Sequence, residues 1–338
     1  MWKTFLAFIG HRILLCLTIY LVLMSSRIPL FSAIARKVAD LPEYGALSGI
    51  TSVSPTQIFS ATRDPYLWIN WLAVKFIHVS PVISLLFFSS FFFCLFLWEL
   101  HTLLNRMVTP DVSDAAVILA VLWPTSYEMS LGSGYALCCL FAIMTIRHAL
   151  DNHWLFAGLA LAGLALLDVS AVAAIPLLVY IFWYFQRHFQ FLQILKRTAY
   201  FLVPVSAVML WRYNAFSHAS REIDGSALMN LLAIIKGSQP LASILTPANL
   251  GQTAAILFLS IGAALAALGN AMLVHKLIPV NLLVMLLAFA PYGSIASRAL
   301  FAGAALQGIA THSSRSILGF LQILFLCLGI YEVFTVFS

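Results

Sequence analysis

The sequence predicts an all-α, polytopic membrane protein. Two observations carry that expectation. Hydrophobic residues make up 62% of the 338 positions and charged residues only 9%, against about 25% charged in a soluble domain. The apolar residues are also gathered into about eleven runs separated by short polar turns. A bilayer-spanning helix needs about 20 such residues.

The runs lie near 8–25, 81–98, 115–130, 134–148, 154–168, 171–186, 198–214, 252–273, 277–292, 297–311 and 317–337. Several are shorter than a full crossing. They read as paired hairpins or re-entrant pieces, which hydrocarbon tolerates only when protein surrounds them. The first run follows Lys3 and includes Arg12, as a signal sequence would. No small-x-small cleavage site follows it, so it reads as the first membrane helix. Two connections are long, about 26–80 and 213–251. The whole chain, 1–338, reads as a single transmembrane domain without a linker, a separate soluble domain or an internal repeat.

Composition also excludes functions. The net charge of +6 is dispersed, with no basic block, so no nucleic-acid partner is expected. Cys16, Cys94, Cys138, Cys139 and Cys327 all sit in apolar runs and read as packing residues. His78, His101, His148, His153, His188, His218, His275 and His312 are scattered near span ends, and none pairs with another at metal-ligand spacing. No phosphate-binding loop, Gly-x-Ser-x-Gly or zinc motif occurs. The absence of any Asn-x-Ser/Thr acceptor favours a bacterial source.

Orientation follows from the short loops. A cytoplasmic N-terminus puts Lys3, Arg12, Arg106, Arg147, Arg187, Lys196, Arg197, Lys276 and Arg315 inside, nine of the eighteen Lys and Arg. Arg187, Lys196 and Arg197 crowd one short loop, whereas short outer turns carry little beyond Arg298. Short loops weigh most in the positive-inside rule. Both long connections then lie outside. With them go Asp40, Glu43, Asp64, Glu128, Asp168, Glu222 and Asp224, seven of the twelve acids.

The first outer loop is helical in character, over 28–38 and 65–79. In the second segment Tyr66, Ile69, Ala73 and Ile77 form one face at a spacing of three to four, with Trp68, Trp71 and Leu72 near another. This predicts an amphipathic helix lying at the interface with aromatic belt residues. Pro65 suits the first turn and Asp64 the N-cap. Asp64 therefore has two readings, a helix cap or a catalytic carboxylate held at the membrane surface, and one position can serve both.

Other outer charges follow. Glu128 closes Pro124-Thr125-Ser126-Tyr127-Glu128 ahead of the small-residue turn Leu131-Gly132-Ser133-Gly134-Tyr135. A charge beside a span tends to face a cavity or a partner, or else headgroup water. Asp168 interrupts an apolar run, as a tight hairpin or as a buried acid facing a cavity. Arg298 follows Pro291-Tyr292-Gly293-Ser294 and is suited to hold a phosphate bidentately or to snorkel to headgroups.

Taken in order, these segments resemble the GT-C superfamily of polytopic glycosyltransferases, closest to the PIG-V-type mannosyltransferases and their bacterial relatives. Arg63-Asp64-Pro65-Tyr66-Leu67-Trp68-Ile69 is similar to that group's first-loop Trp-Asp motif, with Arg63 in the tryptophan position. Pro124-Thr125-Ser126-Tyr127-Glu128-Met129-Ser130 resembles its Pro, Tyr-Ser-Glu-like turn. Arg147-His148-Ala149-Leu150-Asp151-Asn152-His153-Trp154 is similar to its basic inner turn with Trp. Ser297-Arg298-Ala299-Leu300-Phe301 is similar to its late Arg-Tyr-Leu segment but lacks the tyrosine. Leu167-Asp168 stands where relatives carry Thr-Arg.

The resemblance implies transfer of a mannose-like hexose or pentose from a polyprenyl-phosphate donor to a glycan or lipid acceptor at the outer face, within a bacterial inner membrane. It implies Asp64 as the base, Glu128 on acceptor hydroxyls or a divalent metal, and Arg298 on the departing phosphate. Tyr127, Arg63, Tyr66 and Asp168 join them as substrate-binding candidates. Membrane lipids are expected partners. No cofactor is assigned with certainty, a divalent metal is left open, and no protein ligand set for a metal is predicted. A non-catalytic subunit of the same shape and a lipid-linked saccharide transporter are the alternatives.

Overall fold

A computed structural model describes residues 2–23, 29–62, 64–106, 108–123, 126–167, 191–216 and 315–337, and every regular element among these residues is helical. They are α1 (Trp2–Leu23), α2 (Leu30–Ala39), α3 (Pro42–Ile50), α4 (Ile58–Ala61), α5 (Pro65–Phe76), α6 (Pro81–Leu104) and α7 (Pro110–Val121). A single 3-10 turn, Glu128–Ser130, precedes α8 (Tyr135–Leu150), α9 (Trp154–Leu167), α10 (Phe191–Phe216) and α11 (Arg315–Phe337). The expected spans at 171–186, 252–273, 277–292 and 297–311, and the connection 213–251 beyond Phe216, lie outside the described residues.

Among the described residues two helices are long and apolar enough to cross a membrane, through Thr4–Leu21 and Pro81–Leu104. At 1.5 Å per residue, the 24 residues of α6 reach about 36 Å, enough for a hydrocarbon core of about 30 Å. Both carry exposed large apolar side chains, among them Ile13, Leu17 and Leu21 on α1 and Phe87, Phe91 and Trp98 on α6. The expected span at 115–130 is not a through-helix. Its helix stops at Val121, and the next regular element is the 3-10 turn at Glu128–Ser130. The 12 residues of α7 cover only about 18 Å.

Helix starts follow local rules. α3, α5, α6 and α7 all begin with proline, whose missing N–H and fixed φ suit the first turn. Ser80 caps α6 by accepting from the Ile83 N–H at 3.3 Å, and Asp64 caps α5 in the same manner. The described part of the first long connection is thus mostly helical. It contains α2 near the expected 28–38, and also α3 and α4, which the apolar pattern did not announce.

The chain divides into two compact units. One holds the described residues up to Leu137 together with α11. In it α1, α7 and α11 pack together. Gln322 donates to the Ala115 carbonyl at 2.9 Å, and Trp123 meets Phe325 edge-on at 5.1 Å. Leu15, Ile19, Leu23, Ala33, Tyr127, Val333 and Phe337 form a buried apolar cluster. The second unit holds the described residues from Cys138 through α10.

In the second unit α9 and α10 are the most closely packed pair. A Cβ on Gly158 would lie 2.7 Å from the Phe201 carbonyl oxygen and 2.9 Å from that of Tyr200. Hydrogen at this position is therefore what lets the two backbones approach. Trp154 stacks edge-on against Phe201 at 5.9 Å.

Gly158→Ala is expected to destabilise the protein by about 1–3 kcal/mol, since backbone rather than a flexible side chain must move. Gly45 of α3 has open space around it, so Gly45→Ala is expected to be neutral or to stabilise by up to about 1 kcal/mol. Thermal unfolding of the two variants in detergent checks the contrast.

Candidate functional site

Asp64 sits where the sequence placed it, at the N-cap of α5, with an extended backbone (φ −80°, ψ 113°). Its Oδ1 accepts from the Tyr66 N–H at 2.8 Å. Its own N–H donates to Thr62 Oγ1 at 3.3 Å. The Trp68 indole N–H then donates to the Thr62 carbonyl at 2.8 Å, and Phe59 packs edge-on against Trp68 at 4.9 Å. The carboxylate is half-buried and held on both sides.

The face that α5 buries differs from the expected one. Tyr66, Leu67, Asn70, Trp71 and Ala73 are buried, while Ile77 is exposed. Tyr66 and Trp71 are therefore core residues and not belt residues. The reason is hydrogen bonding. Trp71 Nε1 donates to the Ile50 carbonyl at the end of α3, 3.0 Å away. Asn70 Nδ2 donates to the Tyr66 carbonyl at 2.8 Å, and Asn70 Oδ1 accepts from Ser84 Oγ at 2.7 Å. Such polar groups are stable in an apolar interior only because each finds a partner.

Tyr66 is the centre of this network. It is fully buried, and its hydroxyl lies 2.9 Å from both the Leu85 and the Gly132 carbonyls. The single O–H serves the two acceptors. Gly132 in turn donates its N–H to Ser89 Oγ at 3.1 Å. It has φ +102°, and a Cβ there would meet Leu85 Cβ at 3.1 Å. The turn needs glycine for conformation and for space.

A further acid joins here that sequence reading did not single out. Glu43, in the first turn of α3, accepts from the Gly134 N–H through Oε1 at 3.2 Å. Its Oε2 is buried and has no hydrogen-bond partner among the described residues. Burial, then the Glu43 carboxylate and more weakly Asp64, push the Tyr66 hydroxyl well above its ordinary range. It therefore stays protonated as a donor. Two carboxylates 21 positions apart in the first loop thus bear on one buried phenol. The only sequence cue was that Glu43 follows Pro42 at a helix start.

Glu128 opens the 3-10 turn. Tyr127 is buried in the apolar cluster with Leu15, Ile19 and Val333. This turn is fastened from α1. Arg12 donates to the Ser126 carbonyl at 2.8 Å, with its guanidinium 5.2 Å from the ring centres of both Phe8 and Phe93. Arg12 stands half-way along α1. Neighbouring His11 is buried, and neither of its ring nitrogens has a hydrogen-bond partner among the described residues. Arg63, Asp168 and Arg298 lie outside the described residues.

Histidine spacing requires one correction. The donor atoms of His148, Asp151 and His153 all lie within 4.8 Å of one another, although no pair of histidines was expected to meet. No family model, curated protein or solved structure matches this chain.

Tyr66→Phe leaves two buried carbonyls without their donor and is expected to cost about 1–3 kcal/mol, read as a lowered unfolding temperature. Asp64→Asn keeps an N-cap acceptor and should change stability by only a few tenths of a kcal/mol, whereas Asp64→Ala should lose about 1 kcal/mol.

Proposed function

We propose that the protein is a multi-pass membrane glycosyltransferase, with its N-terminus in the cytoplasm of a bacterial cell. It transfers a mannose-like sugar from a polyprenyl-phosphate donor to a glycan or lipid acceptor at the outer face of the inner membrane. The observation that carries this reading is the carboxylate pair around Tyr66. Asp64 is fixed at a helix end, and Glu43 keeps a buried oxygen with no hydrogen-bond partner among the described residues.

Asp64 is the base in this reading. It takes the proton of the acceptor hydroxyl as that oxygen bonds to the anomeric carbon and the bond to the lipid phosphate breaks. Such assistance contributes typically 10²–10⁴-fold. Glu43 binds acceptor hydroxyls through the carboxylate oxygen that has no hydrogen-bond partner among the described residues. Glu128, Tyr127, Arg63 and Asp168 remain substrate-binding candidates from the sequence, and Arg298 is assigned to the departing phosphate.

A second reading has its own observation. Buried ionisable groups at mid-span often mark a transport path, and His11 and Arg12 are such groups. A transporter would move lipid-linked saccharide across liposomes without forming a new glycosidic bond.

Asp64→Asn separates capping from chemistry, because asparagine caps as well as aspartate. We expect it to keep its unfolding temperature and to lose transfer by about 10²-fold or more. Glu43→Gln should raise KM for the acceptor more than it lowers kcat. Full activity in Asp64→Asn rejects the assignment, and turnover with a nucleotide-linked sugar alone rejects the polyprenyl donor.

A further inference from the structure

The geometry points to a divalent transition-metal site at the turn joining α8 to α9, formed by His148, Asp151 and His153. It is independent of the carboxylate pair around Tyr66.

The backbone creates the cluster. α8 ends in a left-handed residue, Asn152, with φ +62°. The His153 N–H donates to the His148 carbonyl at 2.8 Å, and the Asn152 N–H to that of Ala149 at 3.1 Å. This pair of bonds defines a Schellman turn, which brings the side chain two positions past the helix back onto the side chain in its last turn. In most proteins an apolar contact fills that place. Here both partners are imidazoles, with ring centres 6.1 Å apart, and the residue at the helix end between them is Asp151. A spacing of three and then two residues fits neither a helix face nor a strand. Only the reversal of the chain brings these donors together.

The turn is held in place by its neighbours. Asn152 Oδ1 accepts from the Trp154 indole N–H and from Arg197 of α10, the latter at 3.1 Å. Trp154 is itself buried against Phe201. His148 and Asp151 are half-buried and His153 is exposed, so an ion can enter from the surface.

Two imidazole nitrogens and one carboxylate oxygen suit zinc, cobalt or nickel rather than magnesium or calcium, which prefer oxygen alone. Donor atoms around a tetrahedral zinc are about 3.3 Å apart, from metal–ligand lengths of about 2.0–2.1 Å. The donor atoms of the cluster lie within 4.8 Å of one another, and the proposed site calls for a small rotation of the exposed His153 ring. Arg147 approaches His148 Nε2 at 3.4 Å, so His148 either ligates through Nδ1 or releases that contact. Three protein ligands leave a fourth position open for water or a ligand.

The test is metal binding by the full chain in detergent, free of any histidine tag, with zinc or cobalt chloride alone as the probe. One ion per chain is expected, with cobalt giving visible absorption bands. His148→Ala and His153→Ala should each weaken binding at least tenfold. His101→Ala should leave it unchanged, since His101 pairs with Asp114 at 3.0 Å elsewhere. Zinc should also raise the unfolding temperature of the parent but not that of His153→Ala, whose exposed position makes misfolding an inadequate explanation. No stoichiometric uptake, uptake unchanged in His148→Ala and His153→Ala, or loss of binding in His101→Ala would each overturn the site.

Discussion

The buried hydroxyl of Tyr66 holds the first unit's polar seam together. It faces the Leu85 carbonyl of α6 and the Gly132 carbonyl of the turn before α8. One side chain of α5 therefore fixes the positions of two other segments. Around it Asn70, Ser84 and Ser89 complete their own bonds. The seam fixes the direction in which α5 begins, and hence where its capping Asp64 stands. A polar network in a low-dielectric interior is unforgiving, because any unmet member carries its full desolvation cost. The Glu43 Oε2 atom is among the buried polar atoms with no hydrogen-bond partner among the described residues, which is why it reads as a group available to a ligand.

Arg12 applies the same constraint within an apolar helix. A guanidinium has five donors and cannot shed its charge. The fold gives it one carbonyl and two phenyl faces. Rings of this kind attract cations through their quadrupole. They soften the burial of the charge without neutralising it, and in doing so fasten the turn that leads into Glu128.

What could be read from the sequence was whatever is encoded within a few residues. The all-helical class, the apolar character of α1 and α6, the start of α5 and the capping role of Asp64 all follow from composition, Pro65 and one side chain. The buried face of α5 was misread because hydrophobic spacing ranks Ile77 above Asn70. Tertiary hydrogen bonds reversed that ranking. Glu43 is 21 positions from Asp64, and nothing local links them. His148, Asp151 and His153 are adjacent in sequence, yet their meeting depends on one left-handed residue that periodicity cannot express. The short α7 was overestimated because the apolar run continues past the turn at Trp123.

The prolines that open α3, α5, α6 and α7 bear on biogenesis. A helix entering hydrocarbon must strip water from the backbone donors of its first turn, which have no partner above them. Proline has no such donor at its own position. Each of these helices therefore presents a leading end with one fewer group to dehydrate. Of these four helices only α6 is long and apolar enough to cross a membrane, and there the missing donor takes one group away from the end that must be dehydrated.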